Sequence, residues 1–249
     1  MKAMIFAAGL GTRLKPFTDH APKALVEVGG ETMLGRVIRR LSESGIKDMV
    51  VNTHHFSQQI CDYLYSKNNF GVNIRVSDES NDLLDTGGGL LAARELLDGS
   101  DDILLHNADI FTDVSYRPMM EYHAESGADA TLMVWERQSS RALLFDGNDR
   151  MQGWHNTVTG QLLPEGVECH MPQLHPLAFG GIHIVSPRIF PLLELYRHKH
   201  GRVFSLTPFY VEYCHEFDIR AYSPHGNFYW EDVGKPQSLA RARQYAVVK

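Results

Sequence analysis

Residues 7–25 read AAGLGTRLKPFTDHAPKAL, directly after the apolar run Ala3-Met4-Ile5-Phe6-Ala7. The run has the length and composition of a buried strand. Gly9 and Gly11 follow it at once, then Thr12 and Arg13, and a Pro22-Lys23 pair ten residues further on. Small residues let backbone N–H groups approach an anion closely, because no Cβ stands in the way. Arg13 and Lys23 add fixed positive charge. A strand feeding such a loop belongs to an α/β architecture and suits a polyphosphate ligand such as a nucleoside triphosphate.

Two other glycine motifs do not fit. A dinucleotide fingerprint, G-x-G-x-x-G, would use Gly9 and Gly11, but its third glycine is Leu14. That fingerprint also opens a helix directly, whereas Pro16 and Pro22 interrupt the next dozen residues. A P-loop, G-x-x-x-x-G-K-[ST], occurs nowhere in the chain. A plain glycine-rich turn would account for the paired glycines but not for Thr12-Arg13 and Pro22-Lys23.

The chain has 249 residues, 43% hydrophobic and 22% charged, enough for one sizeable core or two small ones. Its net charge of −6 argues against a general binder of nucleic acid or of anionic membranes. The positive charge near the N-terminus is therefore local, as in a site. No run approaches the ~18 apolar residues of a membrane span. The opening MKAMIFAAGLG has too short an apolar run for a signal peptide. Cys61, Cys169 and Cys214 are odd in number, far apart and without a C-x-x-C pair, so neither a disulfide framework nor a structural zinc site is expected. The expected setting is the cytoplasm. The 13 histidines include His54-His55, His170 and His215, none with the spacing of a zinc site.

Strand and helix patterns alternate through the first half. Strands are predicted at residues 3–7, 48–52, 72–76, 103–106 and 130–135. Helices are predicted at residues 33–44, at 57–66 with Ser57 as cap, at 89–97 entered through Gly87-Gly88-Gly89, and at 116–126. The alternation implies parallel βαβ units in a doubly wound sheet. In the second half, residues 143–145 and 151–155 form a hairpin around Asp146-Gly147-Asn148. Residues 161–176 read as loop, 179–185, 217–222 and 230–233 as strands, and 187–195 and 204–212 as helices. Pro236 opens a last helix. The economical reading is one domain over residues 1–249, with a nucleotide-binding half to about residue 135 and an acceptor half from about 136.

In open α/β sheets ligands sit outside the carboxyl ends of the parallel strands. The loop with Gly9, Gly11, Thr12 and Arg13 and the loop with Asn107-Ala108-Asp109 should share that edge. Asp232, in Trp230-Glu231-Asp232-Val233-Gly234, is a second carboxylate at a strand end. Mg²⁺ prefers one or two carboxylates plus phosphate oxygens and water, so Asp109 and Asp232 are candidate metal ligands, with Arg13 and Lys23 neutralising phosphate charge. Ala24-Leu25-Val26 is expected to anchor Lys23 through an apolar strand.

These residues carry a family resemblance. A-A-G-L-G-T-R followed by P-K resembles the signature of sugar-1-phosphate nucleotidyltransferases. The likeness continues through Asn107-Ala108-Asp109, Phe179-Gly180-Gly181-Ile182 and Trp230-Glu231-Asp232-Val233-Gly234, nearly the whole chain in order. It implies a Rossmann-like, GT-A-like α/β fold on a doubly wound mixed sheet. It also implies the reaction NTP + sugar-1-phosphate → NDP-sugar + pyrophosphate, with Mg²⁺. Carried over, Ala8, Gly9, Gly11, Thr12 and Arg13 would cradle the triphosphate and Lys23 would touch its α-phosphate region, which makes Arg13 and Lys23 the catalytic pair. Thr86, Gly87 and Gly88 occupy the place of the base-reading loop. Asn107 and Gly181 would lie near the sugar phosphate, and Asp109 and Asp232 would hold Mg²⁺. No protein nucleophile or general base is needed, because a phosphate monoester with a second pKa of about 6 is already mostly a dianion near neutral pH.

The triple glycine after Leu84-Asp85-Thr86 narrows the resemblance. Short chains with L-E-T-G-G-G look like N-acetylmuramate-1-phosphate uridylyltransferases of cell-wall recycling; here the acidic position is Asp85. Val51-Asn52-Thr53-His54-His55 followed by Gln58-Gln59-Ile60 also resembles that subgroup. The nearest competitor is mannose-1-phosphate guanylyltransferase. A catalytically silent homologue that only binds NDP-sugar is the reading of another class. Neither the sugar nor the oligomeric state is legible.

Overall fold

The N-terminal strand is buried on both faces, with Met4 in one core and Ala3 and Ile5 in the other. Side chains on a strand alternate between faces, so this short run already requires two covering layers. The computed structural model describes residues 1–99 and 101–248. In chain order its elements are β1 (Lys2–Phe6), β2 (Glu27–Val28), β3 (Glu31–Thr32), α1 (Met33–Glu43), β4 (Asp48–Thr53), α2 (Ser57–Ser66), β5 (Asn73–Asp78), α3 (Asp85–Ala92), β6 (Ile103–Asn107), β7 (Ile110–Thr112), α4 (Arg117–Ser126), β8 (Ala130–Trp135), β9 (Arg141–Phe145), β10 (Met151–Asn156), β11 (Leu162–Leu163), β12 (His175–Val185), α5 (Ile189–His200), α6 (Leu206–Tyr213), β13 (Ile219–Tyr222), β14 (Trp230–Asp232) and α7 (Pro236–Val248).

The central sheet is mixed and doubly wound. β5, β4, β1 and β6 are parallel neighbours in that order. β12 then enters antiparallel beside β6. Its other edge takes β8, and β8 takes β13 in parallel. β8 therefore runs in the direction of β6 without touching it. Strand order is a long-range property, which the local period that locates β8 does not encode. The N-terminal part of β12 leaves this sheet to pair with β9, and β10 and β11 continue outward as antiparallel strands.

The helices follow the two faces. Leu34, Val37, Ile38 and Leu41 of α1, Ile60 and Leu64 of α2, and Met119 of α4 fill one core. Leu90 and Leu91 of α3, Ile189 and Leu193 of α5, and Phe209 and Tyr210 of α6 fill the other. Each fully buried aliphatic side chain contributes on the order of 1.5–3 kcal/mol. The i, i+3, i+4 spacing on α1 produces its buried face, and Thr32 caps it by accepting the Gly35 N–H at 3.0 Å. A third, smaller core joins Leu14, Val28, Phe111, Val233 and Leu239. It ties the glycine loop, the β2–β3 ribbon, β7, β14 and α7 together.

Several local expectations change. Ser57 is the first helical residue of α2 rather than its cap, which is Phe56 in the left-handed region. The triple glycine lies inside α3, not before it, and residues 94–97 form a separate 3₁₀ turn. Residues 161–176 contain β11, a 3₁₀ segment and the start of β12 rather than loop alone. Among the described residues no helix is long and apolar enough to cross a membrane.

Candidate active site

The loop after β1 is fixed by its own packing. Ala7 donates its N–H to Asn52 Oδ1 at 2.7 Å. Gly11 is left-handed, at φ +66°. A Cβ there would stand 2.9 Å from Thr18 Cγ2 and 3.1 Å from Lys23 Cβ, and Thr18 Oγ1 donates to the Gly11 carbonyl at 2.8 Å. Gly11 is thus needed for conformation and for the close approach of Lys23. Gly9 is exposed, with open space where a Cβ would be. Thr12 and Arg13 are exposed on a 3₁₀ turn. Lys23 begins another 3₁₀ turn, Lys23–Leu25, after Pro22; the expected apolar strand is absent there, and buried Ala24 anchors the turn.

The two acidic loops meet through a pairing that neither strand's length announces. β7 and β14 form an antiparallel two-stranded ribbon with Ile110 opposite Asp232. Val233 donates its N–H to the Asp109 carbonyl at 2.9 Å. The ribbon is locked by Thr112 Oγ1 donating to the Tyr229 carbonyl at 2.6 Å and by the Tyr229 N–H on Asp113 Oδ1 at 2.7 Å. Asp109 and Asp232 are thereby held side by side. Lys23 Nζ ion-pairs with Asp109 and lies 3.8 Å from Asp232 Oδ1.

Gly234 shows how tightly these charges converge. A Cβ on it would lie 2.8 Å from Asp232 Oδ1, 3.1 Å from Arg13 Nη2 and 3.4 Å from Lys23 Nζ. Among the described residues Asp232 Oδ1 is buried without a hydrogen-bond partner. Burial first, and the Asp109 charge second, push the Asp232 carboxyl above the ordinary carboxylate range, while Lys23 and Arg13 oppose the shift. An orphaned carboxylate oxygen beside a second carboxylate fits a cation. Among the described residues no three His, Cys, Asp or Glu side chains converge. Two carboxylates with room for phosphate oxygens and water match the donor set of Mg²⁺ better than that of zinc.

A cavity of about 440 Å³ opens beside this cluster. Ala8, Gly9, Lys23, Thr86, Asn107 and Asp109 are in its wall. Asp232 lies in the wall of a second cavity of about 1050 Å³, with Arg137, Trp154, Phe179, Tyr196 and Glu212. Gly87 and Gly88 are buried away from both. Their N–H groups donate to the Phe204 carbonyl at 2.9 and 3.1 Å, and Cβ atoms would strike Phe204 and the Arg202 carbonyl at 2.4 Å. Gly181, at φ +74°, backs Asn107: its Cβ would lie 2.9 Å from Asn107 Nδ2.

With this geometry in place, the known proteins the chain resembles have a structural context. The nucleotidyl transferase family profile matches residues 2–145. The chain belongs to the nucleotidyl transferase family. It is 30% identical over 245 residues to the N-acetylmuramate alpha-1-phosphate uridylyltransferase of Caulobacter vibrioides, covering 96% of this chain and 94% of that one. It is 26% identical to the mannose-1-phosphate guanyltransferase of Kluyveromyces lactis, covering 96% of this chain and 63% of the relative. In fold it is similar to a putative glucose-1-phosphate thymidylyltransferase from Bacillus anthracis, with a TM-score of 0.78, 20% identity, and 99% and 95% of the two chains covered.

The candidate site also includes residues that the sequence motifs do not single out. Glu79, one residue past β5, is only 4% exposed and stands in the wall of the 440 Å³ cavity. It accepts Asn52 Nδ2 at 2.7 Å and the Leu84 N–H at 3.1 Å, one on each oxygen. Burial raises its carboxyl above the ordinary 4.5, and these hydrogen bonds partly oppose the shift. A Cβ on Gly89 would stand 2.6 Å from Glu79 Oε1, so the third glycine of the triplet makes room for this carboxylate. Asn52 was visible in the quoted Val51-Asn52-Thr53 pattern; Glu79 carried no motif. Gly234 was visible only as the neighbour of Asp232's strand end.

Proposed function

We propose that this nucleotidyltransferase couples UTP to N-acetylmuramate 1-phosphate, releasing pyrophosphate. The observation that carries the reading is the meeting of Lys23, Arg13, Asp109 and Asp232 around Gly234, beside the loop that follows β1. In this reading Ala8, Gly9, Gly11 and Thr12 offer close approach to the triphosphate. Arg13 and Lys23 spread positive charge over it. Thr86 faces the base, with Gly87 and Gly88 holding the Thr86 turn against Phe204. Asn107, backed by Gly181, faces the acceptor phosphate. Asp109 and Asp232 would hold Mg²⁺, which supplies further charge neutralisation on the phosphates when bound.

The acceptor oxygen forms a bond to the α-phosphorus as the bond from that phosphorus to the bridging β-phosphate oxygen breaks. Pyrophosphate leaves with the electron pair. The acceptor is already mostly dianionic near neutral pH, so the protein's work is alignment and charge neutralisation rather than proton transfer. Lys23 suits this role: its ammonium is held by Asp109 and lies 3.8 Å from Asp232 Oδ1, beside both proposed metal ligands.

The uridylyl and muramate assignment rests on the 30% identity that spans nearly the whole of both chains, together with Leu84-Asp85-Thr86-Gly87-Gly88-Gly89. A guanylyl reading draws on the guanyltransferase likeness, in which this chain spans 63% of the relative. The test is a panel of Mg²⁺ with each NTP and a series of sugar 1-phosphates, followed by pyrophosphate release. UTP with N-acetylmuramate 1-phosphate is expected as the best pair. GTP with mannose 1-phosphate as the best pair overturns the assignment, and no release with any pair favours a silent NDP-sugar binder.

A further inference from the structure

The 1050 Å³ cavity contains a cation with no role so far. Arg137 lies two residues beyond the end of β8, exposed to that cavity and shared with a neighbouring 500 Å³ pocket formed by Trp135, Phe228 and Trp230. Its guanidinium carbon sits 4.5 Å from the Trp230 ring centroid and 5.4 Å from that of Trp135. Trp135 and Trp230 meet edge to face at 5.2 Å. Trp230 Nε1 donates to the Gly180 carbonyl at 2.8 Å, which fixes the indole, and Arg137 Nη2 donates to the Phe179 carbonyl at 2.9 Å.

This is a prepared guanidinium. Two indole faces and one carbonyl hold its plane, while its other N–H donors remain for a ligand. The surrounding walls desolvate it, and the acidic group whose charge reaches it among the described residues is Asp232. Asp232 shares the wall of this cavity with Arg137, and its Oδ1 lies 3.8 Å from Nζ of Lys23, which lines the 440 Å³ cavity. An anion bound by Arg137 in this cavity would share it with Asp232, the carboxylate beside Lys23.

We infer that Arg137 binds the phosphate of the sugar 1-phosphate and holds it facing the α-phosphorus. The inference rests on the nucleotidyl-transfer reading above. A planar fork suits two phosphate oxygens at once, which a lysine ammonium does not reproduce. A carboxylate on the sugar is the other anion of similar chemistry, and the experiment separates the two.

Arg137→Met and Arg137→Lys are compared with the wild type after thermal melts confirm folding. KM is measured for the NTP, for N-acetylmuramate 1-phosphate and for N-acetylglucosamine 1-phosphate, which lacks the carboxylate. The expected result for Arg137→Met is an acceptor KM raised about tenfold to a hundredfold on both sugars, with the NTP KM within about twofold. Arg137→Lys recovers part of the loss. An unchanged acceptor KM overturns the inference. So does a loss confined to the carboxylate sugar, which would assign Arg137 to the sugar substituent. If the wild type turns over no pair, the transfer reading fails independently, and inorganic phosphate binding by calorimetry decides the anion site. Binding to the wild type but not to Arg137→Met then supports it; equal or absent binding overturns it.

Discussion

Lys23 ion-pairs through its ammonium with the carboxylate of Asp109, 86 positions away in sequence. The contact joins the glycine loop to the β6–β7 turn, the two segments proposed to hold the phosphates and the metal. Asp109→Asn keeps the shape of the side chain but removes its charge. The variant should fold and should lose turnover by at least about 10²–10³-fold at saturating Mg²⁺. Near-wild-type pyrophosphate release would remove Asp109 from the mechanism.

Gly234→Ala places a methyl group 2.8 Å from Asp232 Oδ1 and 3.1 Å from Arg13 Nη2. Misplacing charged groups by a fraction of an ångström is costly to transfer but not to folding. The expected result is a fall in kcat/KM of about tenfold or more, with an urea midpoint close to wild type. Steady-state kinetics and urea unfolding on the same preparation check both halves.

Gly89→Ala acts on a different part of the wall. Its Cβ would lie 2.6 Å from Glu79 Oε1 and 3.1 Å from Asn52 Nδ2, inside a buried, fully paired network. Overpacking there should destabilise the protein by about 1–3 kcal/mol, read from urea unfolding. A midpoint unchanged from wild type would mean that Glu79 moves aside freely.

Glu79 also predicts a pH dependence of stability. Its folded-state pKa is raised above the ordinary 4.5 by burial. Between the ordinary and the raised value the folded state binds more protons than the unfolded state, so this group's contribution to stability falls as pH rises through that window. Glu79→Gln removes the titration. The unfolding free energy of Glu79→Gln minus that of wild type should therefore increase from pH 4.5 to pH 7, whatever constant offset the altered hydrogen bonds introduce. A difference independent of pH contradicts the assignment.

The glycine loop, Lys23, Asp109 and Asp232 were legible because each sits in a motif with a local physical reason: glycines that let the backbone approach an anion, a lysine set after a proline, carboxylates at strand ends. What joins them was not. β7 and β14 are three residues each, too short to display a period, and their pairing is decided by tertiary contacts. The insertion of β12 between β6 and β8 escaped for the same reason. The triple glycine looked like a helix entrance because glycine is a poor helix former. Packing against Phe204, the Arg202 carbonyl and Glu79 overrides that preference. Glu79 was invisible because a lone acid after a strand ordinarily points to solvent, and only the fold reveals that Asn52 and Leu84 receive it.

The most direct test of the central claim follows the α-phosphorus. Wild type and Asp109→Asn are incubated with Mg²⁺, N-acetylmuramate 1-phosphate and UTP labelled at either the α- or the γ-phosphate. The account predicts that the wild type transfers the α label to the sugar phosphate and releases the γ label as pyrophosphate, and that Asp109→Asn does neither. Transfer of the γ label to the sugar, release of inorganic phosphate alone, or undiminished α transfer by Asp109→Asn would contradict it.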